Sequence, residues 1–203
     1  MKCNEKIFAL RTDYALKQES FVVLNDPFET IDLWISKAID KDCIMPNAFV
    51  LSTNSSSRVV LLREFIQNGL IFFTNYNSRK GREIEASKNV SAVFHWPEMQ
   101  RQVRIEGQAK KISSQKADFY WSSRPEKSRI AAIVSKQSQI VDSHEQLKNE
   151  YDSYQGSLER PANWGGFIIM PDYFEFWQGE RNRLHKRVSF KNKTQWEKSV
   201  LYP

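Results

Sequence analysis

From Gln100 to Ile112 the chain repeats with a period of two: Val103, Ile105, Gly107 and Ala109 alternate with Arg104, Glu106, Gln108 and Lys110. Successive side chains on a strand point to opposite faces, so the run reads as a strand with one buried face. Such a strand needs partners, and the flanking sequence supplies them. Val90–Trp96 precedes it as a second strand, while Ala48–Thr53 and Arg58–Ile66 flank the Ser-rich turn Asn54–Ser57 and read as a hairpin. Asn68-Gly69, a pair favoured where both central residues of a turn take positive φ, sends the chain back along Leu70–Asn75. Trp164-Gly-Gly-Phe167 opens the final strands, which close with Trp196–Tyr202.

Helices are inserted between these strands. Phe28, Ile31, Trp34, Ile35, Ala38 and Ile39 fall at helical spacing and predict an amphipathic helix over Phe28–Asp42. Ser78–Glu85 reads as a helix start with Ser78 as its cap, and the unpaired first-turn N–H groups beside Arg79 and Lys80 offer a seat for phosphate. Ser113–Trp121 predicts another helix. Ser123-Arg-Pro-Glu126 predicts the start of the next, with a capping box and proline in its first turn; Arg124 and Ser128, four apart, share a face. His144–Tyr154 reads as a surface helix. A meander with inserted helices argues a mainly β, α+β chain forming a small antiparallel barrel. The expected organisation is a partly ordered arm over residues 1–27 and a single domain over residues 28–203.

Composition narrows the function classes. The 203 residues are 40% hydrophobic and 27% charged, with no apolar run of membrane-spanning length and no secretory leader pattern in the first ten residues. Two isolated cysteines make no disulfide framework, and a cytoplasmic protein is expected. No Gly-x-Gly-x-x-Gly or Gly-Lys-Ser/Thr string occurs, and His95, His144 and His185 have no zinc-site spacing, so no metal is expected. The net charge of +6 suits nucleic acid or a phosphorylated small molecule equally. Between Glu175 and Arg187 the charge is concentrated: Arg181, Arg183, His185, Lys186 and Arg187 follow Trp177. As a strand this segment would turn Arg183, His185 and Arg187 to one face, as a pocket wall for an anion or as an exposed basic hairpin.

The chain resembles the pyridoxamine/pyridoxine 5′-phosphate oxidase family. The strings Arg58-Val-Val-Leu-Leu-Arg63, Phe73-Thr-Asn75, Ser78-Arg-Lys80, Arg101-Gln-Val103, Ser123-Arg-Pro125, Ser135-Lys-Gln-Ser138, Trp164-Gly-Gly-Phe167, Glu175-Phe-Trp-Gln-Gly179 and Arg183-Leu-His185 occur in the family's order and approximate spacing. The resemblance covers about residues 28–203. It implies an FMN-binding split β-barrel and a homodimer with FMN at the interface. The implied reaction oxidises pyridoxine or pyridoxamine 5′-phosphate to pyridoxal 5′-phosphate, with O2 as acceptor and H2O2 released, and needs no nucleic acid or membrane partner. Implied FMN contacts are Arg58, Val59, Val60, Leu61, Leu62, Phe73, Thr74, Arg79, Lys80, Gln102, Gln137, Ser138, Trp177 and Arg187. Arg63, Tyr120, Arg124 and Ser128 are implied to hold the substrate phosphate, while Arg183, Leu184 and His185 meet its ring and Arg183 and His185 act in catalysis. The alternatives are a related split-barrel flavoenzyme acting on another reduced ring, or a flavin or pyridoxal phosphate carrier.

Three departures from the family pattern stand out. The turn Asn54–Ser57 is short where the family has a longer Gly- and Pro-bearing loop, Arg63 stands where lysine is typical, and the chain ends Val200-Leu-Tyr-Pro203 where Arg-Leu-x-Pro is usual.

Overall fold

The computed structural model describes Ile7, Tyr14, residues 20–66 and residues 68–203. Most of the expected arm, residues 1–6, 8–13 and 15–19, lies outside the described residues. Helix α1 spans Pro27–Asp40. The Asp26 carboxylate caps it, accepting from the N–H groups of Phe28 (2.6 Å) and Glu29 (3.1 Å), and Pro27 occupies the first turn, where no N–H is needed. Ile31, Trp34, Ile35 and Ala38 form its buried stripe. The helix stops two residues before the predicted Asp42, which takes φ 52 and leaves the helical path. Trp34 is fully buried; its indole donates to the Val22 carbonyl at 2.9 Å, and the Arg101 guanidinium lies 4.7 Å from its ring centroid.

The described residues form one nine-stranded sheet, in the order β2-β1-β5-β6-β7-β4-β3, with β8 beside β7 and β9 beside β8. The strands are β1 (Ala48–Ser52), β2 (Ser57–Leu61), β3 (Glu64–Ile66), β4 (Gly69–Asn75), β5 (Asn89–Trp96), β6 (Arg101–Lys111), β7 (Trp164–Gln178), β8 (Lys186–Asn192) and β9 (Trp196–Val200). The β1–β2, β3–β4, β4–β7, β7–β8 and β8–β9 pairings are antiparallel. Strand β6 carries the alternation predicted for it, with Val103, Ile105, Gly107 and Ala109 buried, and adds Arg101 to the buried face.

Two of the predicted strand features differ. Arg58–Ile66 is two strands, because the Leu62 N–H donates to Asn47 (2.8 Å) while the Arg63 N–H donates to Ile71 (2.9 Å): the chain changes partner from β1 to β4 at that point. At the Asn68-Gly69 turn only Asn68 has positive φ, 68°. Gly69 is instead the first residue of β4, paired with Ile66, and a Cβ there would sit 2.3 Å from Ile168 Cδ1. The glycine supplies room.

Helices α2 (Arg79–Ser87), α3 (Ser114–Ser123), α4 (Glu126–Val134) and α5 (His144–Asp152) fill the connections. Ser78, Ser113 and Ser143 cap α2, α3 and α5 through their hydroxyls. The capping box expected at Ser123-Arg-Pro-Glu126 does not form. Ser123 ends α3 and donates to the Tyr120 carbonyl at 2.8 Å, while Pro125 takes the cap position of α4. Arg124, directly before proline, is extended at ψ 142, the conformation that position favours.

By internal contacts the chain divides into two compact units, one of residues 1–46, 93–104 and 173–203, the other of residues 47–92 and 105–172. Strands β5, β6 and β7 each contribute to both. Among the described residues no helix is long and apolar enough to cross a membrane, and no three His, Cys, Asp or Glu side chains cluster as a metal site.

Candidate active site

In the second unit a cavity of about 470 Å3 opens against β2, β4, α2, α3 and α4. Of the predicted residues, Val59, Val60, Leu61, Arg63, Phe73, Thr74, Lys80, Tyr120, Arg124, Ser128 and Gln137 line it. Its cations are Arg63, Lys80 and Arg124, and none of its lining residues is acidic. The Arg124 guanidinium lies 4.6 Å from the Trp164 centroid and 5.2 Å from that of Trp121, which holds it by cation–π contact. One of its terminal nitrogens, Nη1, is buried with no hydrogen-bond partner among the described residues. Burial lowers the Arg124 pKa, and the Arg63 charge lowers it further, against the opposing effect of Tyr120. Phe73 and Tyr120 stack at 3.8 Å and 14°, with the Trp164 ring 1° from the Tyr120 plane, forming a flat aromatic wall.

Lys80 reaches from the first turn of α2. Its ammonium donates to Gln137 Oε1 (2.9 Å), Thr74 Oγ1 (3.1 Å) and Ser78 Oγ (3.3 Å), all neutral acceptors. Burial, and then the Arg58 charge, lower its pKa to about 8. Arg58, Arg79, Leu62 and Ser138 do not line the cavity. Arg58 and Arg79 instead ion-pair with Glu83 at 3.0 and 2.8 Å. Ser138 follows α4 at φ 72.

The remaining predicted residues belong to the first unit. Gln102 is half-buried on β6. Trp177 lies on β7 with Arg187 opposite it on β8. Arg183, Leu184 and His185 are not on a strand, so the predicted alternation does not apply to them. Arg181–Arg183 is a tight turn with Asn182 at φ 56 and Arg183 at φ 60, and β8 begins only at Lys186. The turn nevertheless sets His185 against Trp177, with ring centroids 4.8 Å apart. The Glu180 N–H donates to His185 Nδ1 at 3.1 Å, so the neutral ring carries its proton on Nε2. Burial, then Arg183, lower the His185 pKa, against the pull of Glu180.

Sequence reasoning missed two contributors in this unit. Tyr14 packs edge-on against Trp177 (5.7 Å) and His185 (5.2 Å), and a lone tyrosine in a charged segment carries no local signal of that. Glu175, 3% exposed, accepts from Arg187 Nη2 (2.8 Å) and Nε (3.0 Å), Arg104 (3.0 Å) and Tyr173 (3.2 Å), while Arg187 Nη1 donates to the Tyr202 carbonyl (2.9 Å). Those bonds take three of the five N–H donors of Arg187 and leave two.

Fold and cavity define an antiparallel sheet protein with a cationic, aromatic-walled site suited to a phosphorylated ring. Residues 35–155 match the family described as pyridoxamine 5′-phosphate oxidase, and residues 164–203 match the pyridoxine 5′-phosphate oxidase C-terminal dimerisation region. The chain belongs to the pyridoxine/pyridoxamine 5′-phosphate oxidase family and has its FMN-binding split-barrel fold. It is 40% identical to the pyridoxine/pyridoxamine 5′-phosphate oxidase of Trichormus variabilis, over 98% of this chain and all of that one. It is 39% identical to that of Herminiimonas arsenicoxydans, over 96% and 98%. Among solved structures, PhzG from Burkholderia lata, in complex with tetrahydrophenazine-1-carboxylic acid, superposes with a TM-score of 0.84 at 27% identity, covering 90% of this chain and 98% of that one.

Proposed function

We propose that the protein is an FMN-dependent oxidase that converts pyridoxine 5′-phosphate or pyridoxamine 5′-phosphate to pyridoxal 5′-phosphate, with O2 as electron acceptor and H2O2 released. One observation carries this reading. Arg63, Lys80 and Arg124 share a cavity that no acidic residue lines, and a buried nitrogen of Arg124 has no partner among the described residues. Like charges gathered there without a counter-ion are unfavourable, and a phosphate provides both the missing charge and the acceptors.

In this reading Arg63, Tyr120, Arg124 and Ser128 grip the substrate phosphate and so orient the ring, converting remote binding into alignment at the reacting carbon. Arg183, Leu184 and His185 meet that ring. With Nδ1 occupied by the Glu180 N–H and the ring kept neutral, His185 offers its Nε2 proton as a hydrogen-bond donor. The donors suit a flavin phosphate: Arg58, Arg79 and Lys80 hold it, with Thr74 beside Lys80. Gln102, Gln137, Ser138, Trp177, Arg187, Phe73 and the Val59–Leu62 backbone hold the flavin. Held there, FMN would supply a hydride acceptor for the substrate and a route for the electrons to O2.

The same proposal includes a cytoplasmic homodimer with FMN at the subunit interface. The match of residues 164–203 to a dimerisation region supports the dimer, as do Leu184, Val200 and Tyr202, which are 70, 82 and 93% exposed within it. The free Cys43 thiol fits a reducing compartment.

The likeness to PhzG favours one rival, a flavoenzyme acting on another reduced ring. Initial rates of the FMN-loaded protein with pyridoxine 5′-phosphate and with tetrahydrophenazine-1-carboxylic acid separate the two. Faster oxidation of the phosphorylated substrate is expected, and the reverse order would move the protein to the rival class.

A further inference from the structure

The short turn between β1 and β2 closes on a carboxylate from α2. Thr53 and Ser56 hydroxyls each donate to Glu83 Oε2 at 2.5 Å, and the Ser55 hydroxyl donates to Oε1 at 2.8 Å. Two guanidinium groups complete the ring of donors: Arg58 Nη2 to Oε2 at 3.0 Å and Arg79 Nε to Oε1 at 2.8 Å. A carboxylate offers about four lone-pair sites, so these donors saturate it. The hydrogen bonds, from Ser56 first and then Thr53 and Arg79, hold the Glu83 carboxyl well below the usual carboxylate range. Arg58 is tied to the same turn through Ser56 and, at 3.3 Å, Thr53 Oγ1. Its Nε, and both terminal nitrogens of Arg79, bond none of the described groups.

We propose that Glu83 is a positioning residue for the cofactor phosphate: anchored by the turn hydroxyls, its carboxylate holds the Arg58 and Arg79 guanidinium groups so that their remaining N–H donors, with Lys80, are set for that phosphate. The inference rests on the FMN reading above. Long cationic side chains lose rotamer freedom on binding, and fixing them beforehand lowers that cost. Charge alone argues the opposite, since a carboxylate beside a phosphate site repels the ligand and its removal should tighten binding. Here Arg58 and Arg79 both pair with Glu83, two positive charges against one negative, and the Lys80 charge, which acts on Arg58, adds to the surplus. Order outweighs the residual repulsion.

Titration of the apoprotein with FMN and with riboflavin, which has the same ring and no phosphate, isolates the effect through quenching of flavin fluorescence. Wild-type protein should prefer FMN. Glu83→Ala should weaken FMN by about tenfold, the loss of one well-placed charge-assisted contact, with riboflavin changed less than about twofold by the same reasoning. Glu83→Gln, which keeps the shape without the charge, should fall between. The double variant Ser55→Ala/Ser56→Ala leaves both ion pairs in place and should also lower the FMN preference, which keeps the test decisive if Glu83→Ala does not fold. Unchanged or tighter FMN binding in the Glu83 variants overturns the inference, as does equal weakening of FMN and riboflavin, which would mark a purely structural role. A wild-type protein with no preference for FMN over riboflavin overturns the cofactor reading itself, and the inference with it.

Discussion

Arg63 separates a phosphate grip from a bystander cation by its side chain alone. Arginine presents a planar fork of donors where lysine presents a compact point charge, and both are cationic at neutral pH. A charge-assisted contact contributes about 1.5–3 kcal/mol, so Arg63→Ala should raise KM for pyridoxine 5′-phosphate by roughly one to two orders of magnitude. Arg63→Lys should cost much less, and steady-state kinetics of the two variants together decide the matter: an alanine variant with unchanged KM removes Arg63 from the site. Lys80 gives a pH signature. With its pKa lowered to about 8 by burial and by Arg58, it loses its proton above that pH, and an anion must then restore the proton on binding. FMN affinity should therefore fall as pH rises from 7 to 9, and Lys80→Met should abolish the step; a pH-independent affinity contradicts this. The same shift makes the folded apoprotein bind fewer protons than the unfolded chain between about 8 and the unfolded lysine value of ~10.4, so Lys80 contributes a gain in stability with rising pH in that window.

At the scale of elements, Gly69 is the sharpest case. A methyl group there would meet Ile168 Cδ1 at 2.3 Å and Cγ1 at 2.5 Å, so Gly69→Ala must displace that side chain across the β4–β7 pair. A loss of about 1–3 kcal/mol is expected, measured as a lowered midpoint in denaturant; no change would mean that Ile168 swings clear. The same position shows where local reading reaches its limit. Asn68-Gly69 announces a turn, but the need for glycine comes from a residue about a hundred positions away, which no local pattern encodes. Strand β6 was legible because its period of two is a property of the stretch itself. The break at Leu62 and Arg63 was not, because it marks a change of hydrogen-bond partner from one distant strand to another. The turn at Asn182 and Arg183 was hidden too, since two successive non-glycine residues with positive φ run against local preference. Most of the cavity could be read from short motifs because each motif sits on one element. Tyr14 and Glu83 complete their clusters through contacts that cross between elements, and of the two only the four-residue spacing of Arg79 and Glu83 left a trace.

For the whole molecule, continuity of β5, β6 and β7 through both compact units argues that residues 28–203 unfold as one cooperative domain. Calorimetry should give a single transition whose van't Hoff and calorimetric enthalpies agree, whereas two resolved transitions would assign the units separate stabilities. The central claim, oxidation of a phosphorylated pyridine substrate at its exocyclic carbon by bound FMN, is tested most directly by a single turnover. FMN-loaded protein mixed with pyridoxine 5′-phosphate in the absence of O2 should lose its yellow flavin absorbance and form pyridoxal 5′-phosphate in an amount equal to the bound flavin. Admitting O2 should restore the colour and release an equal amount of H2O2. Flavin that stays oxidised in the presence of saturating pyridoxine 5′-phosphate and of pyridoxamine 5′-phosphate would contradict the account.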